Sequence, residues 1–509
     1  MTELSLDTLR FEAKRLHRAY IAREVWALQR LQQYPPRRAP DSLRRADFLH
    51  VVAQENGFAS WPRLKLAAET TGLDRAAKLQ RLKIALFHGQ TPVIEALLAD
   101  TPDLADGVFG LECALYRREA VAAALARDPG LATRPLGPRR PILHLAFSRW
   151  IKARPELEED MLAVADLLLA HGADVNDGYP AAEGEDHLLS ALYGAIGHAD
   201  NMVLGRWLLD HGANPNDNES LYHATELGHH EGLRMLLEAG ADPHGTNALL
   251  RAMDFHDHAA VEMLLSHGAR PDDFNPEEVG GEAPWVVPAL HQAARRGCDR
   301  RMVDLLLEAG ADPARDWQGA TAYAYARVHG NRAVAEAIEA RSAATPLSRE
   351  ETLLARAAEG QASPGEYIDP ARLAPAYANI LRETLHLPDR LPVLKRLVAL
   401  GLPWDLPDGM GVTPVQAAGW EGLPDVMGFF MRLKPDLSHV NGYGGTLLGT
   451  ILHGAENALD RDSRDHIGCL EQALHHGVAL PRREIGFVAR EDIRAFLEDW
   501  AESHPGQVV

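Results

Sequence analysis

The sequence predicts an all-α solenoid of stacked helix–turn–helix repeats, closed at each end by helices that do not repeat. Three observations predict it. The stretch Leu221 to Asp272 reads LYHATELGHHEGLRMLLEAGADP and then LLRAMDFHDHAAVEMLLSHGARPD, two halves that superpose without a gap. Leu221 matches Leu249, Ala224 matches Ala252, Leu236-Leu237 match Leu264-Leu265, and Gly240-Ala241 match Gly268-Ala269, a shift of 28 residues. The same leucine–glycine ending recurs around Gly172, Gly212 and Gly310. The chain also has 509 residues, too many for one ordinary core, whereas a stack grows by adding units. A repeat cannot bury its apolar face alone; it buries it against its neighbours.

In chain order, Leu4 to Gln33 reads as one long amphipathic helix, with Leu6, Leu9, Ala13, Leu16, Tyr20, Val25, Leu28 and Leu31 at three- to five-residue steps. Pro35-Pro36 and Pro40 end it. A second helix spans about Arg44 to Asn56. In GFASWPRLK, Ser60 is the expected N-cap, Pro62 suits the next first turn, and Trp61 is expected to anchor the cap. Degenerate helix pairs follow from Leu79: Leu82–Gly89 with Val93–Leu98, a short pair within Leu111–Leu125, and Ile142–Phe147 with Met161–Ala170. A fourth runs from Leu188 to Gly212, then come the two matched repeats. The segment Asp272 to Val287, DDFNPEEVGGEAPWVV, has the composition of a loop, and long loops on a solenoid often carry function.

Beyond it stand a repeat from Leu290 to Asp312 and another from Ala320 to Glu339. Ser348 to Glu359 reads as a helix with a capping-box start. Gln361 to Asp369 reads as a loop, followed by helices at about Arg372–Leu385 and Arg390–Leu400. Thr413 is placed to cap a helix whose first turn Pro414 pre-sets. Glu491 to Trp500 reads as a closing helix.

These motifs resemble ankyrin repeats. Pro288-Ala289-Leu290-His291-Gln292-Ala293-Ala294 stands beside Leu305-Leu306-Leu307-Glu308-Ala309-Gly310-Ala311-Asp312, in the family's order of a P-L-H-x-A opening and a leucine–glycine ending. Leu397 to Pro403 and Gly411 to Ala418 repeat the pattern. GYGGTLLGTILHG, at Gly442 to Gly454, is similar to a segment near the end of many bacterial ankyrin arrays, and departs from it by Leu447 where proline is usual. GFASWPRLK is similar to the helical stretch before such arrays. The division expected is a helical N-terminal cap at 1–74, a first array at 75–345, an irregular helical connection at 346–390, a second array at 391–482 and a closing helix at 483–509. The resemblance implies a concave groove, lined by the first helices and turn tips, that binds another protein. It also gives His291 a structural role within the turn.

Composition narrows the function. A formal charge of −20 disfavours nucleic acid and anionic membrane as partners and is compatible with a basic protein. No apolar run approaches the ~20 residues of a membrane span. Three scattered cysteines and no C-x-x-C pair suit a reducing compartment, and the expected location is cytoplasmic.

Successive repeats stack equivalent positions into columns: Tyr222 with Leu250, His223 with Arg251, Glu226 with Asp254. At a step of roughly 10 Å, Glu226 and Asp254 form a carboxylate pair close to the ~6.5–9.5 Å of inverting glycoside hydrolysis. His223, His256 and the Tyr222 hydroxyl add acid–base groups, while two solvated surface charges are the plainer account. The candidate binding set is Tyr222, His223, Glu226, Arg251, Asp254, His256, Tyr323 and Trp420. Weak catalytic candidates are Glu226, Asp254 and His223.

The 24 histidines lack metal-ligand spacing, and His171, His211 and His267 sit where a helix C-terminus favours positive charge. No metal or cofactor is expected. GYGGTLLG lacks the phosphate-loop form, and Cys298, two turns from His291, reads as a packed thiol rather than a nucleophile. The reading that follows is a non-catalytic scaffold binding a protein in its groove. The alternative is an acid–base enzyme of hydrolase or lyase type, or a small-molecule binder, with its site around Tyr222–His256.

Overall fold

The computed structural model describes residues 6–36, 43, 45–180, 187–275, 286–341, 343–361, 365–458, 461–488 and 490–509. The fold is an all-α ankyrin solenoid in which helix pairs follow one another along the chain. Its residues fall into two compact units, Met1–Val286 and Val287–Val509. The division lies inside the stretch expected as one array. Residues 276–285, most of the acidic loop singled out above, are outside the described residues, as are the first residues of the N-terminal helix.

The first unit opens with helices Leu6–Ile21, Val25–Gln33, Arg45–Glu55 and Trp61–Thr71. Leu9, Leu16, Phe48, Val52, Trp61 and Leu64 share their core, so Trp61 anchors this bundle. The single helix expected from Leu4 to Gln33 is two. Arg23 adopts a left-handed φ of 56°, the Glu24 N–H donates to the Ala19 carbonyl, and the Arg23 N–H donates to that of Tyr20. That pair of bonds ends a helix and redirects the chain. Apolar spacing runs through the break, which is why periodicity missed it. Val25 is 69% exposed, while Ala27 and Leu31 take the buried face. Ser60 precedes its helix as expected, but its side chain makes no capping bond.

Helix pairs then follow: Arg75–His88 with Thr91–Asp100, Phe109–Ala114 with Arg118–Arg127, Pro141–Ala146 with Glu158–Ala170, Ser220–Ala224 with Glu231–Glu238, and Ala248–Asp254 with His258–Ser266. Second helices pack on second helices of the next pair, as the shared-face argument requires. Gly240 and Gly268 have φ of 89° and 98°. At each, the next residue's N–H reaches back five residues, Ala241 to Leu236 and Ala269 to Leu264. A side chain would strain this left-handed position, which is why glycine recurs there. Asn201 and Asp257 cap second helices with their side chains.

The fourth pair departs from plain helix. Gly178–Pro180 pairs antiparallel with Leu188–Ser190, and Ala191–Tyr193 continues as a π-helical turn, Gly194–His198, before Met202–Asp210. A Cβ at Gly194 would lie 2.6 Å from the Phe147 ring, and one at Gly197 2.7 Å from Tyr193. Glycine therefore lets aromatic rings close onto this turn.

The second unit pairs Ala289–Arg295 with Arg300–Glu308, Ala322–His329 with Arg332–Glu339, Pro414–Trp420 with Pro424–Arg432, and Leu447–Asn457 with His466–His475. A short hairpin, Asp316–Trp317 with Ala320–Thr321, precedes Ala322–His329. Ser348 and Thr413 form capping boxes with Glu351 and Gln416. Thr446 caps Leu447–Asn457, so the first turn forms without the usual proline. Between Arg349–Ala358 and Leu391–Ala399 run two single turns, Pro370–Arg372 and Pro375–Tyr377, and the short helix Ile380–Thr384. This irregular stretch packs onto first helices. The Tyr325 hydroxyl donates to Glu383 at 3.2 Å, His329 Nε2 lies 3.2 Å from the same carboxylate, and the Tyr377 hydroxyl donates to Glu351 at 2.8 Å. Ile380–Thr384 also lies beside Pro414–Trp420. Arg482–Phe487 and Glu491–Ser503 close the chain, with a parallel bridge from Leu480 to Val508.

Candidate functional site

The columns predicted from the sequence meet in one polar network. His223, on Ser220–Ala224, lies 2.8 Å from Glu226 through Nδ1 and 3.1 Å from Glu219 through Nε2. Arg251, on the next first helix, donates from Nε to Glu226 at 2.7 Å and from a terminal nitrogen to Asp254 at 3.2 Å. His187 bonds the other oxygen of Glu219, which is fully buried. The Arg251 guanidinium also lies over the rings of Tyr222 and Phe255, at 5.6 and 5.1 Å. Tyr222 itself is buried, and His256 sits exposed in the following turn with φ 53°.

Electrostatics follow from this pairing. Burial alone would lower the His223 pKa, but the carboxylates of Glu219 and Glu226 outweigh it and hold the imidazole at about 9. Burial works against ionising Glu226, yet His223 and Arg251 keep it below the usual carboxylate range. Burial works to lower the Arg251 pKa, but Tyr222 together with Glu226 and Asp254 holds it above its ordinary value. Glu226 and Asp254 thus share one guanidinium. A general acid needs a carboxyl whose pKa is raised; Glu226 is shifted the other way.

The remaining candidates lie apart. The Tyr323 hydroxyl donates to Glu339 at 2.7 Å and accepts from Arg327 at 2.9 Å, which ties it to the second helix of its own repeat. Trp420 ends Pro414–Trp420 and lines a cavity of about 580 Å³ in the second unit. Arg382, Tyr443, Thr450 and His453 line it too. The Trp420 and His453 rings stand 5.2 Å apart between centroids. Nothing in the repeat pattern marked Arg382, because it comes from the irregular stretch. Glu219 did carry a signal: it stands four residues before His223, the spacing of facing side chains on a helix.

Histidines take structural parts elsewhere. Nδ1 of His171, His211 and His267 each lies 2.7–2.8 Å from the carbonyl four residues back. His291 is buried, with Nε2 3.0 Å from the Ala320 carbonyl, and burial lowers its pKa to about 4. Cys298 is buried beside the same repeat. Among the described residues, no group of three or more His, Cys, Asp or Glu is placed to hold a metal ion. None of their helices is long and apolar enough to cross a membrane.

A family model described as ankyrin repeats in three copies matches residues 157–247 and 206–275, and a single-repeat model matches 288–317. Ankyrin repeats are recognised in this chain. The matches cover both repeats of Leu221 to Asp272 and the pairs on either side. Comparison with curated proteins gives no match. Solved structures similar to this chain include the human ASB11 ankyrin repeat domain, at 20% identity and TM-score 0.32, over 48% of this chain and 95% of that one. An ankyrin repeat domain from Acinetobacter baumannii AYE gives 22% identity and TM-score 0.30, over 38% and 96%. The ankyrin repeat domain of Bcl-3, from the IkappaB protein family, gives 22% and 0.33, over 45% and 97%.

Proposed function

We propose that this protein is a non-catalytic scaffold whose ankyrin repeats bind a basic segment of another protein. One observation carries the reading. Between Pro155 and Val286 stand 26 Asp and Glu against four Arg and no Lys. The charge of the whole chain is therefore concentrated in the repeats of the first unit. A field of one sign steers an oppositely charged partner and rejects a like-charged one. Of the groove candidates, His256, exposed in the turn after its first helix, is the one placed to touch a partner, while Tyr222 lies buried beneath Arg251. Glu226 and His223 hold the groove wall by their mutual pairing. The sharing of Arg251 between Glu226 and Asp254 weighs against acid–base catalysis there. Three free, buried cysteines suit a reducing setting such as the cytoplasm.

The test is affinity capture by the full chain at low and high salt, repeated with Asp174→Asn, Glu231→Gln and Asp242→Asn combined. The Asn side chains keep the oxygens that accept from Asn176 and His244 in their turns. Captured proteins should be rich in Lys and Arg and be released by salt, and the triple variant should bind them about tenfold more weakly. Capture indifferent to salt and to the variant sinks the reading. Stabilisation by a metabolite, abolished in Glu226→Gln, would favour the catalytic alternative instead.

A further inference from the structure

The cavity of the second unit has a chemistry of its own. It lies where Ile380–Thr384 faces Pro414–Trp420 and Leu447–Asn457, and its volume of about 580 Å³ falls within the ~300–1,000 Å³ of small-molecule sites. Two walls are rings, Trp420 and His453. Tyr443, 73% exposed, stands at the edge. These faces suit a flat, unsaturated ligand.

The polar groups around it include two that only donate. Arg382 and the indole of Trp420 can only donate, and the Tyr443 hydroxyl and the His453 ring can donate or accept, while the Asn441 amide already donates to Thr450 at 3.2 Å. Glu421, the one carboxylate lining the cavity among the described residues, already takes part in a polar interaction within the chain.

The Arg382 side chain is only 9% exposed. Its two terminal nitrogens donate to the Leu406 carbonyl and the Asn379 side chain. Its Nε has no hydrogen-bond acceptor among the described residues. It forms an ion pair with Asp408 Oδ2 at 3.7 Å, too long for a hydrogen bond. Asp408 is meanwhile occupied through Oδ1 by the N–H groups of Met410 and Val412, at 2.9 and 2.8 Å. Burial lowers the pKa of Arg382, against the opposing pull of Asp408 and Glu383.

We propose that this cavity is a binding site for a small planar molecule carrying a carboxylate, its ring lying among Trp420, His453 and Tyr443 and its acid group facing Arg382. This site is independent of the scaffold reading and lies in other repeats.

Calorimetry on the full chain with three matched probes tests it: indole-3-acetate, the neutral indole-3-acetamide and the cationic tryptamine. The acid should bind saturably and about tenfold tighter than the amide or the amine, the size of one charge-assisted contact. Tyr443→Ala, at an exposed position that leaves the fold intact, should weaken the acid about fivefold through lost ring contact. Arg382→Lys should reduce the preference for acid over amide, because an ammonium does not reproduce the planar fork. Absence of saturable binding by the acid, a preference for tryptamine, or binding unaffected by Tyr443→Ala would overturn the proposal.

Discussion

His223 has carboxylates at 2.8 and 3.1 Å and a side chain only 15% exposed, so its protonation is built into the first unit. Its folded pKa of about 9 lies above the ordinary 6.5. The stabilisation is therefore complete below about 6.5 and is lost as pH rises through 9, by roughly 3 kcal/mol over that window. Chemical denaturation from pH 6.5 to 9.5 should show the decline, and His223→Gln should flatten it. A variant that keeps the decline would remove His223 as its source. At this scale the sequence exposed the right residues for a different reason. It put His223 in one column with Arg251 and Glu226 in another with Asp254, but spacing alone cannot say that the guanidinium reaches both carboxylates. That depends on how close the two first helices lie.

Helix Leu447–Asn457 meets Pro414–Trp420 so closely that a Cβ at Gly454 would overlap the Trp420 carbonyl oxygen and lie 2.7 Å from its Cα. Gly419 repeats the device against Ile451, also at 2.7 Å. This crossing brings Trp420 and His453 together. Gly454→Ala should cost about 2–4 kcal/mol, since backbone rather than a flexible side chain must yield. Gly409→Ala, with open space around it, should leave stability within about 0.5 kcal/mol of the parent. Denaturant midpoints for the two variants check this, and equal midpoints would contradict the packing argument. At the element scale the helix ends were well legible. Glycine after the leucine pair, Thr413 before Pro414 and Ser348 before Glu351 all act locally, so spacing in the chain suffices. The break at Arg23 was not legible: it uses an arginine where glycine is usual, and apolar spacing runs on through it.

Three imidazoles are kept neutral by burial: His144 and His291 at about 4, and His198 at about 3. The unfolded chain takes up these protons near 6.5, and the folded chain does not. Stability is therefore present above about 6.5 and falls as pH drops toward 4, His291 alone accounting for roughly 3 kcal/mol. Together with the loss above 6.5 from His223, the molecule should be most stable near pH 6.5. Denaturation midpoints at pH 7, 5.5 and 4.5 check the acid limb. A flat profile across them would show that these rings find protons in the folded state.

What the sequence determined by itself is the architecture: helix pairs, their ends and their stacking. Those features come from contacts within a repeat or with its immediate neighbour, and a period of 28 residues writes them down twice. What only the tertiary structure decided is which side chains meet. Glu383 reaches His329 across 54 residues, and Arg382 comes to the same cavity as His453, from a stretch with no repeat pattern. Repetition encodes the stack, but an irregular segment lying on it follows no period, so its contacts depend on where the folded chain brings it.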